Sequence, residues 1–411
     1  MPKNQKALWS QKGTKDQRRQ RDRQSRQNAA STQDLAGNLA PSQEEERSDF
    51  PSASNKALAG SVQRSQEISD LMNRAFIQTD TTILDPKTPE EILTELKKIC
   101  VAGNPENYDY YQKIGNGTYG TVFKAVDKNT KIEVAIKEFD LTRKDMPRQS
   151  LLQSAFCEIR VLKDFNQHSL ISILSSHISE DKISIVMPLC DGTLQDILMD
   201  KYCKMGEFEF AAIMKEVLLG VEIMHSKKYL HRDIKPSNVL MTKEGLLKLA
   251  DFGFATDTKK FHKSLVGTKI YMAPEVAAKK NHTYACDIWS CGMVLVMMVV
   301  HSKEHNKSDE DFVFKKMAAN DCRIEDIEKL SSWRVLSDDI KDFLKRCLEQ
   351  DDAKRATASQ LLDHKFLTNC APTWKLGALL ERSTLHALKD QRSEKSFEKI
   401  TNNEDFFSFS T

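Results

Sequence analysis

The sequence has no C-x-x-C pair, and its nine cysteines are odd in number and scattered. Both facts argue against a zinc knuckle and against a disulfide framework, so a reducing compartment is expected, the cytoplasm or the nucleus. The start has no apolar core of signal-peptide type. The strongest apolar run, MVLVMMVV at Met293–Val300, is too short to cross a bilayer. It reads as a buried helix of a soluble protein with no membrane partner. Net charge is nearly absent as well, +2 over 411 residues, so the whole-chain field points to no partner. With 40% apolar residues, the chain can fill one large core or two smaller ones.

Large aliphatic residues are nearly missing between Met1 and Gln27, where Lys3, Lys6, Lys12, Lys15, Arg18, Arg19, Arg21, Arg23 and Arg26 face only Asp16 and Asp22. Such a stretch cannot bury enough surface to offset chain entropy. Ser, Gln, Asn and Asp stay frequent to about Thr82, so residues 1–86 are expected to form a disordered polar and basic tail. The run RRQRDRQSR has the composition of a nuclear-import signal or a nucleic-acid contact, and a solvated basic tail is the simpler account. Nucleic acid is expected as a partner only through this tail.

TPEEILTELKKIC changes the texture. Thr88 stands as an N-cap, Pro89 suits the first helical position, and Glu91 is placed to reach back as a capping-box carboxylate. Ile92, Leu93, Leu96, Ile99 and Cys100 then share one face, so residues 87–104 are expected to form an amphipathic helix. Its apolar side needs a partner, the adjacent domain or another protein. From Tyr108 the pattern is β-like through YYQKIGNGTYGTVFKAV and KIEVAIKEFD, helical through SLLQSAFCEIRVLKDF, and β-like again in ISILSSHI and KISIVMPL. Beyond Thr193 helical patterns dominate to about Phe366. Strands followed by helices predict an α+β chain of two unequal lobes, residues 105–190 and 191–370, with a charged C-terminal tail over 371–411. A short helix is expected in that tail near GALLERSTLHAL. The end, DFFSFST, reads as a disordered aromatic segment.

The glycines of GNGTYGTV, Gly115, Gly117 and Gly120, allow a polyphosphate to approach the backbone closely. A dinucleotide fingerprint would open a helix directly afterwards, whereas Thr121–Val126 reads as a strand, making this loop a hairpin. VAIK follows, placing Lys137 on a strand from which it can project beneath the glycine loop if a carboxylate holds it. Glu158, on the otherwise apolar side of the next helix, is the candidate. HRDIKPSNVL then gathers Asp233, Lys235 and Asn238 around a proline, and ADFGFA adds Asp251.

GNGTYGTV, VAIK, Glu158, HRDIKPSN, DFG and APE, in that order and at ordinary spacing, resemble the eukaryotic protein kinase family, over Tyr108 to about Phe366. The resemblance implies a bilobal protein kinase fold with a small β-rich N-lobe and a larger helical C-lobe. It implies transfer of the ATP γ-phosphate to protein hydroxyls with magnesium as cofactor. Asp233 would accept the hydroxyl proton, Asn238 and Asp251 would bind the metal, and Lys137, Glu158 and Lys235 would supply or hold charge. Lys235, two positions after the aspartate, and GTKIYMAPE look like the serine/threonine type, with Thr268 bonding Asp233 and Lys235 and Glu275 pairing Arg355. For ATP the family pattern points to Ile114, Gly115, Asn116, Gly117, Thr118, Tyr119, Gly120, Val122, Ala135, Lys137, Met187, Pro188, Cys190 and Leu240. In this set Met187 closes the rear of the adenine pocket, the Pro188 carbonyl accepts, and the Cys190 N–H donates.

Asp287 of DIWSCG would bond the backbone of the catalytic loop. Arg232 would gather a phosphate on the activation segment, for which Ser264 is the candidate site. Ser237 stands where kinases that favour upstream arginine usually carry Glu, which argues mildly against a strongly basophilic enzyme. The rival reading, a pseudokinase scaffold, usually goes with loss of residues of the Lys137, Asp233 or Asp251 kind, and all are present.

Overall fold

The helix expected over TPEEILTELKKIC forms as α1 (Pro89–Ile99), with both halves of its capping box in place. The Glu91 N–H donates to Thr88 Oγ1 at 3.2 Å, and the Thr88 N–H donates to Glu91 Oε2 at 2.8 Å. Ile92 and Leu96 are fully buried, while Leu93, Ile99 and Cys100 are half-buried. Burying two such side chains contributes roughly 1.5–3 kcal/mol each. The structure is a computed structural model that describes residues 88–258, 265–301, 307–319 and 321–401, with side chains to residue 389. The tail expected over residues 1–86, Ser264 and the aromatic end lie outside the described residues.

Five strands build the smaller lobe: β1 (Tyr108–Asn116), β2 (Thr121–Asp127), β3 (Glu133–Asp140), β4 (Ser175–Ile178) and β5 (Lys182–Pro188). They form one antiparallel sheet in the order β1-β2-β3-β5-β4. Helix α2 (Arg148–Asp164) links β3 to β4; of Leu152, Ala155, Phe156, Ile159 and Leu162, which recur at helical spacing, it buries all but Phe156, which is half-buried. One expected strand is shorter than ISILSSHI suggests. The Ile171 N–H donates to the Leu249 carbonyl at 3.0 Å and the Leu249 N–H to the Ser169 carbonyl at 2.9 Å. The start of the run is therefore committed to the other lobe, and pairing with β5 begins only where the Leu174 N–H donates to the Val186 carbonyl at 2.8 Å, ahead of Ser175–Ile178.

The larger lobe begins with β6 (Gly192–Thr193), α3 (Leu194–Met199) and α4 (Glu207–Ser226), followed by the short strands β7 (Tyr229–Leu230), β8 (Val239–Met241), β9 (Leu247–Leu249) and β10 (Thr256–Asp257). Next come α5 (Pro274–Ala277), α6 (Ala285–Val300), α7 (Lys307–Ala318), α8 (Ile324–Ile327), α9 (Asp338–Cys347) and α10 (Ala358–Leu362). Every residue of α6 is buried, which accounts for its uninterrupted apolar run. Among the described residues no helix is long and apolar enough to cross a membrane.

The last helix, α11 (Thr373–Thr401), is much longer than the segment that periodicity picks out. It is fastened to the larger lobe by buried Leu376, Leu379 and Leu380, by Ser383 Oγ donating to the Asp196 carbonyl at 2.8 Å, and by a 2.7 Å contact between His386 Nδ1 and Asp200 Oδ2. The closest approach is backbone to backbone. A Cβ on Gly377 would lie 2.0 Å from the Lys243 carbonyl oxygen, which neither chain can relieve by rotating a side chain. Gly377→Ala is accordingly expected to cost on the order of 1–3 kcal/mol, read as a lowered urea midpoint at unchanged m-value. An unchanged midpoint would show that α11 does not lie against residues 243–245.

Candidate active site

The cleft is assembled from the first lobe downward. The β1–β2 hairpin pairs Gly115 with Val122 and Asn116 with Thr121, and the Gly117 N–H closes the loop by donating to the Gly120 carbonyl at 2.8 Å. Only Gly120 is required to be glycine by the sheet behind it, since a Cβ there would fall 2.5 Å from the Glu138 carbonyl oxygen. In front of Gly115 a Cβ would meet only Val122, at ordinary contact distance. The loop tip is tied down by Arg143, whose Nη1 donates to the Thr118 carbonyl at 3.0 Å. Tyr119 turns inward beneath the loop, buried edge-on against Phe254 with ring centroids 5.3 Å apart. Burial and the nearby Asp251 and Asp233 carboxylates push its phenol well above the ordinary range.

Lys137 sits mid-strand on β3, opposite Val122 on one side and Ile185 on the other. Its Nζ donates to Glu158 Oε2 at 2.6 Å and to Asp251 Oδ1 at 2.8 Å. Burial alone would push the ammonium down, but Asp251 and Glu158 hold it above the usual lysine range. Glu158, 1% exposed, shows the opposite balance: burial pushes its carboxyl up to about 7, and the attraction of Lys137 only partly offsets this. For Asp251 burial is outweighed by Lys137 and Lys235, and its carboxyl is held down at about 2.

Asp233 lies in the loop between β7 and β8. Its Oδ1 accepts from Thr268 Oγ1 at 2.8 Å, its Oδ2 pairs with Lys235 Nζ at 2.8 Å, and Lys235 Nζ also donates to Thr268 Oγ1 at 3.0 Å. Asn238 Nδ2 donates to the Asp233 carbonyl at 2.8 Å and to Asp233 Oδ2 at 3.2 Å, which clamps the loop across Pro236. His231 fixes the loop from behind. Burial keeps its imidazole below the usual range, hence neutral; Nδ1 accepts from the Asp233 N–H at 3.3 Å, so Nε2 carries the proton to the Ala250 carbonyl at 3.1 Å.

Asp287, fully buried on α6, accepts from the His231 N–H at 2.9 Å, the Arg232 N–H at 2.8 Å and His225 Nε2 at 2.9 Å. Burial opposes its ionisation, and these donors nonetheless hold its carboxyl below the usual range. Arg232 and Asp251 both adopt positive φ, 68° and 65°, a conformation that costs on the order of 1–3 kcal/mol for a residue with a side chain. Glu275 and Arg355 close the expected pair, Nη1 to Oε1 at 2.6 Å and Nη2 to Oε2 at 3.0 Å.

The apolar residues expected to enclose adenine come from both lobes. Ala135 pairs with Met187 across β3 and β5, Val134 pairs with Pro188, and Thr193 pairs with Leu240 across β6 and β8. Ala135 and Met187 are buried, Val122, Pro188, Cys190 and Leu240 half-buried, and Ile114 exposed at the mouth. Thus Lys137, Glu158 and Asp251 share one hydrogen-bonded cluster and Asp233, Lys235, Asn238 and Thr268 another. Among the described residues no three His, Cys, Asp or Glu side chains converge as a metal cage. Sequence reasoning missed Arg143, His231, His225 and the inward turn of Tyr119. The first and last depend on how a loop tip folds, which no periodicity encodes.

Comparison with known proteins agrees with this geometry. The family described as protein kinase domain matches residues 108–367. The chain is 34% identical over 307 residues to the serine/threonine-protein kinase PAK 1 of Mus musculus, covering 73% of this chain and 53% of that protein. It is also 34% identical over 306 residues to the serine/threonine-protein kinase PAK mbt of Drosophila melanogaster, covering 73% of this chain and 46% of the relative. The chain therefore spans about half the length of the curated relatives it matches. With the cleft residues in place and the match running through both lobes, the chain belongs to the protein kinase domain family.

Proposed function

We propose that this chain is a serine/threonine protein kinase that transfers the γ-phosphate of ATP to Ser or Thr hydroxyls of protein substrates. The observation that supports the reading is the pair of hydrogen-bonded clusters, Asp233–Thr268–Lys235 and Lys137–Glu158–Asp251, with Lys235 near enough to Asp251 to help hold its carboxyl down. The substrate oxygen attacks phosphorus, the bond to the leaving ADP oxygen breaks, and the hydroxyl proton passes to Asp233. Thr268 and Lys235 hold the carboxylate toward that oxygen, and Lys235 offsets charge on the transferring group. Lys137, fixed by Glu158, is the cation for the outer phosphates. Ile114, Val122, Ala135, Met187 and Leu240 enclose the base, and the loop from Gly115 to Gly120 covers the phosphates.

Asp251 and Asn238 offer one ionised carboxylate and one amide oxygen, a donor set that suits magnesium, which takes its remaining ligands from phosphate and water. These two residues would hold the ion, which when bound supplies positive charge against the phosphate oxygens. Nine unbridged thiols support a reducing compartment, the cytoplasm or the nucleus. Regulation by phosphate on the activation segment is supported by Arg232. Its Nε donates to the Phe254 carbonyl at 2.8 Å, while its buried Nη1 has no hydrogen-bond partner among the described residues.

Radiolabel transfer from ATP to a generic protein substrate tests the activity. Asp233→Asn and Lys137→Met are each expected to lower it by about 10²–10⁴-fold, and equal transfer by the wild type and both variants would refute the assignment. Glu158 supplies a pH test. Below about 7 its carboxylate gains a proton and releases Lys137, so turnover should fall on the acid side through that value. Glu158→Gln should be slow and lack that limb. Ser264→Ala is expected to reduce activity severalfold; turnover equal to wild type would remove Ser264 from regulation.

A further inference from the structure

Residues 88–104 precede the family match, which begins at residue 108, yet they are built into the smaller lobe. Helix α1 packs on α2, and Ile92 and Leu96 share an apolar core with Leu151, Leu152, Ala155 and Ile159 of that helix. The opposite face of α1 carries exposed Glu90, Glu91, Thr94, Lys97 and Lys98, so its apolar side is the one turned to α2. Beyond α1 the chain joins the open edge of β4. The Ser176 N–H donates to the Val101 carbonyl at 2.8 Å, the Val101 N–H donates to Ser176 Oγ at 2.9 Å, and Ser176 Oγ lies 3.1 Å from Cys100 Sγ. At Gly103 a Cβ would fall 2.6 Å from both Ser175 and His177, so the segment is pressed onto the sheet.

Helix α2 has weak means of its own for holding position. Its N-cap is Pro147, which makes no side-chain cap, and its first turn has no acidic residue to meet the helix dipole. Ser150 and Ser154 bury hydroxyls that have no hydrogen-bond partner among the described residues. Yet this helix must present Glu158 to Lys137 at 2.6 Å in a buried site. A helix that must be placed so accurately, with an uncapped start and two unsatisfied hydroxyls, depends on what packs against it.

We propose that residues 88–103 are a positioning element of the catalytic cleft, in which Ile92 and Leu96 of α1, together with the segment through Val101 that is tied to β4, hold α2 at the depth where Glu158 meets Lys137. The proposal rests on the kinase reading only for its activity readout. Leu96 touches no reacting group and acts through α2.

The test uses the full chain with Leu96→Ala and Leu96→Met, measuring kcat, the KM for ATP and backbone hydrogen exchange. Leu96→Ala is expected to lower kcat about tenfold and to speed exchange in α2 about tenfold while α6 exchange stays at the wild-type rate; Leu96→Met should keep both within about twofold. Wild-type kcat with wild-type α2 exchange in Leu96→Ala overturns the proposal, and so does a loss of kcat with α2 exchange unchanged. If Leu96→Ala does not fold, Ser176→Ala replaces it, since it removes the hydroxyl's contacts with the Val101 N–H and Cys100 Sγ, leaving the backbone bond to the Val101 carbonyl, without emptying the core. About threefold effects in the same directions support the proposal, and wild-type values overturn it. Absence of phosphate transfer by the wild type would count against the kinase reading alone, because exchange in α2 still reports whether α1 holds it.

Discussion

The site depends on a buried ion pair between elements that have no covalent reason to meet. Lys137 comes from the middle of β3 and Glu158 from α2, and they touch at 2.6 Å where water has little access. Either charge left alone there would cost several kcal/mol, so the pair stabilises only the arrangement in which sheet and helix are both in place. Asp251 adds a second carboxylate to the same ammonium at 2.8 Å. Two carboxylates then share one cation. The cluster is left attractive to further positive charge. The same imbalance explains why burial lifts Glu158 to about 7 while Asp251, closer to Lys235, stays near 2.

The other wall is held from below. Asp287 takes two backbone N–H groups of the loop that carries Asp233 and one imidazole, and it projects from a helix whose every residue is buried. A loop fixed to such a helix cannot drift without breaking a charge-assisted network, and this fixes the position of Asp233. Glu275 and Arg355 do the same for the segment that carries Thr268. Arg355 also donates to the Ala285 and Glu349 carbonyls, each at 2.8 Å, so its charge is fully used. Positive φ at Arg232 and Asp251 is tolerated because these anchors over-determine the backbone.

Much of this was legible in the sequence because the chemistry is carried by short motifs whose residue types have few alternatives. The glycine hairpin, Lys137, Asp233 and Asp251 announce themselves by spacing. Helix α1 was legible by its capping box and by Ile92 and Leu96 at helical spacing, but the neighbour it would choose was not. That choice depends on α2 offering an apolar side of matching shape. The length of α11 was hidden for a different reason. Much of it carries charged residues without a strong apolar stripe, and its anchorage rests on Gly377 and Gly245 bringing two backbones together, a contact between glycines far apart in sequence. The early part of ISILSSHI alternates like a strand, yet its backbone pairs with Leu249 in the other lobe. Periodicity reports which face is buried; it does not report against what.

The central claim is that Lys137 and Glu158 act as one unit. A double-mutant cycle on ATP-dependent transfer tests it most directly, with Lys137→Met, Glu158→Gln and the double variant assayed beside the wild type. The account predicts strong non-additivity, the double variant being no slower than the slower single one, because removing either partner already abolishes the pair. Multiplicative losses, with each substitution slowing transfer by the same factor whether or not the other is present, would contradict it.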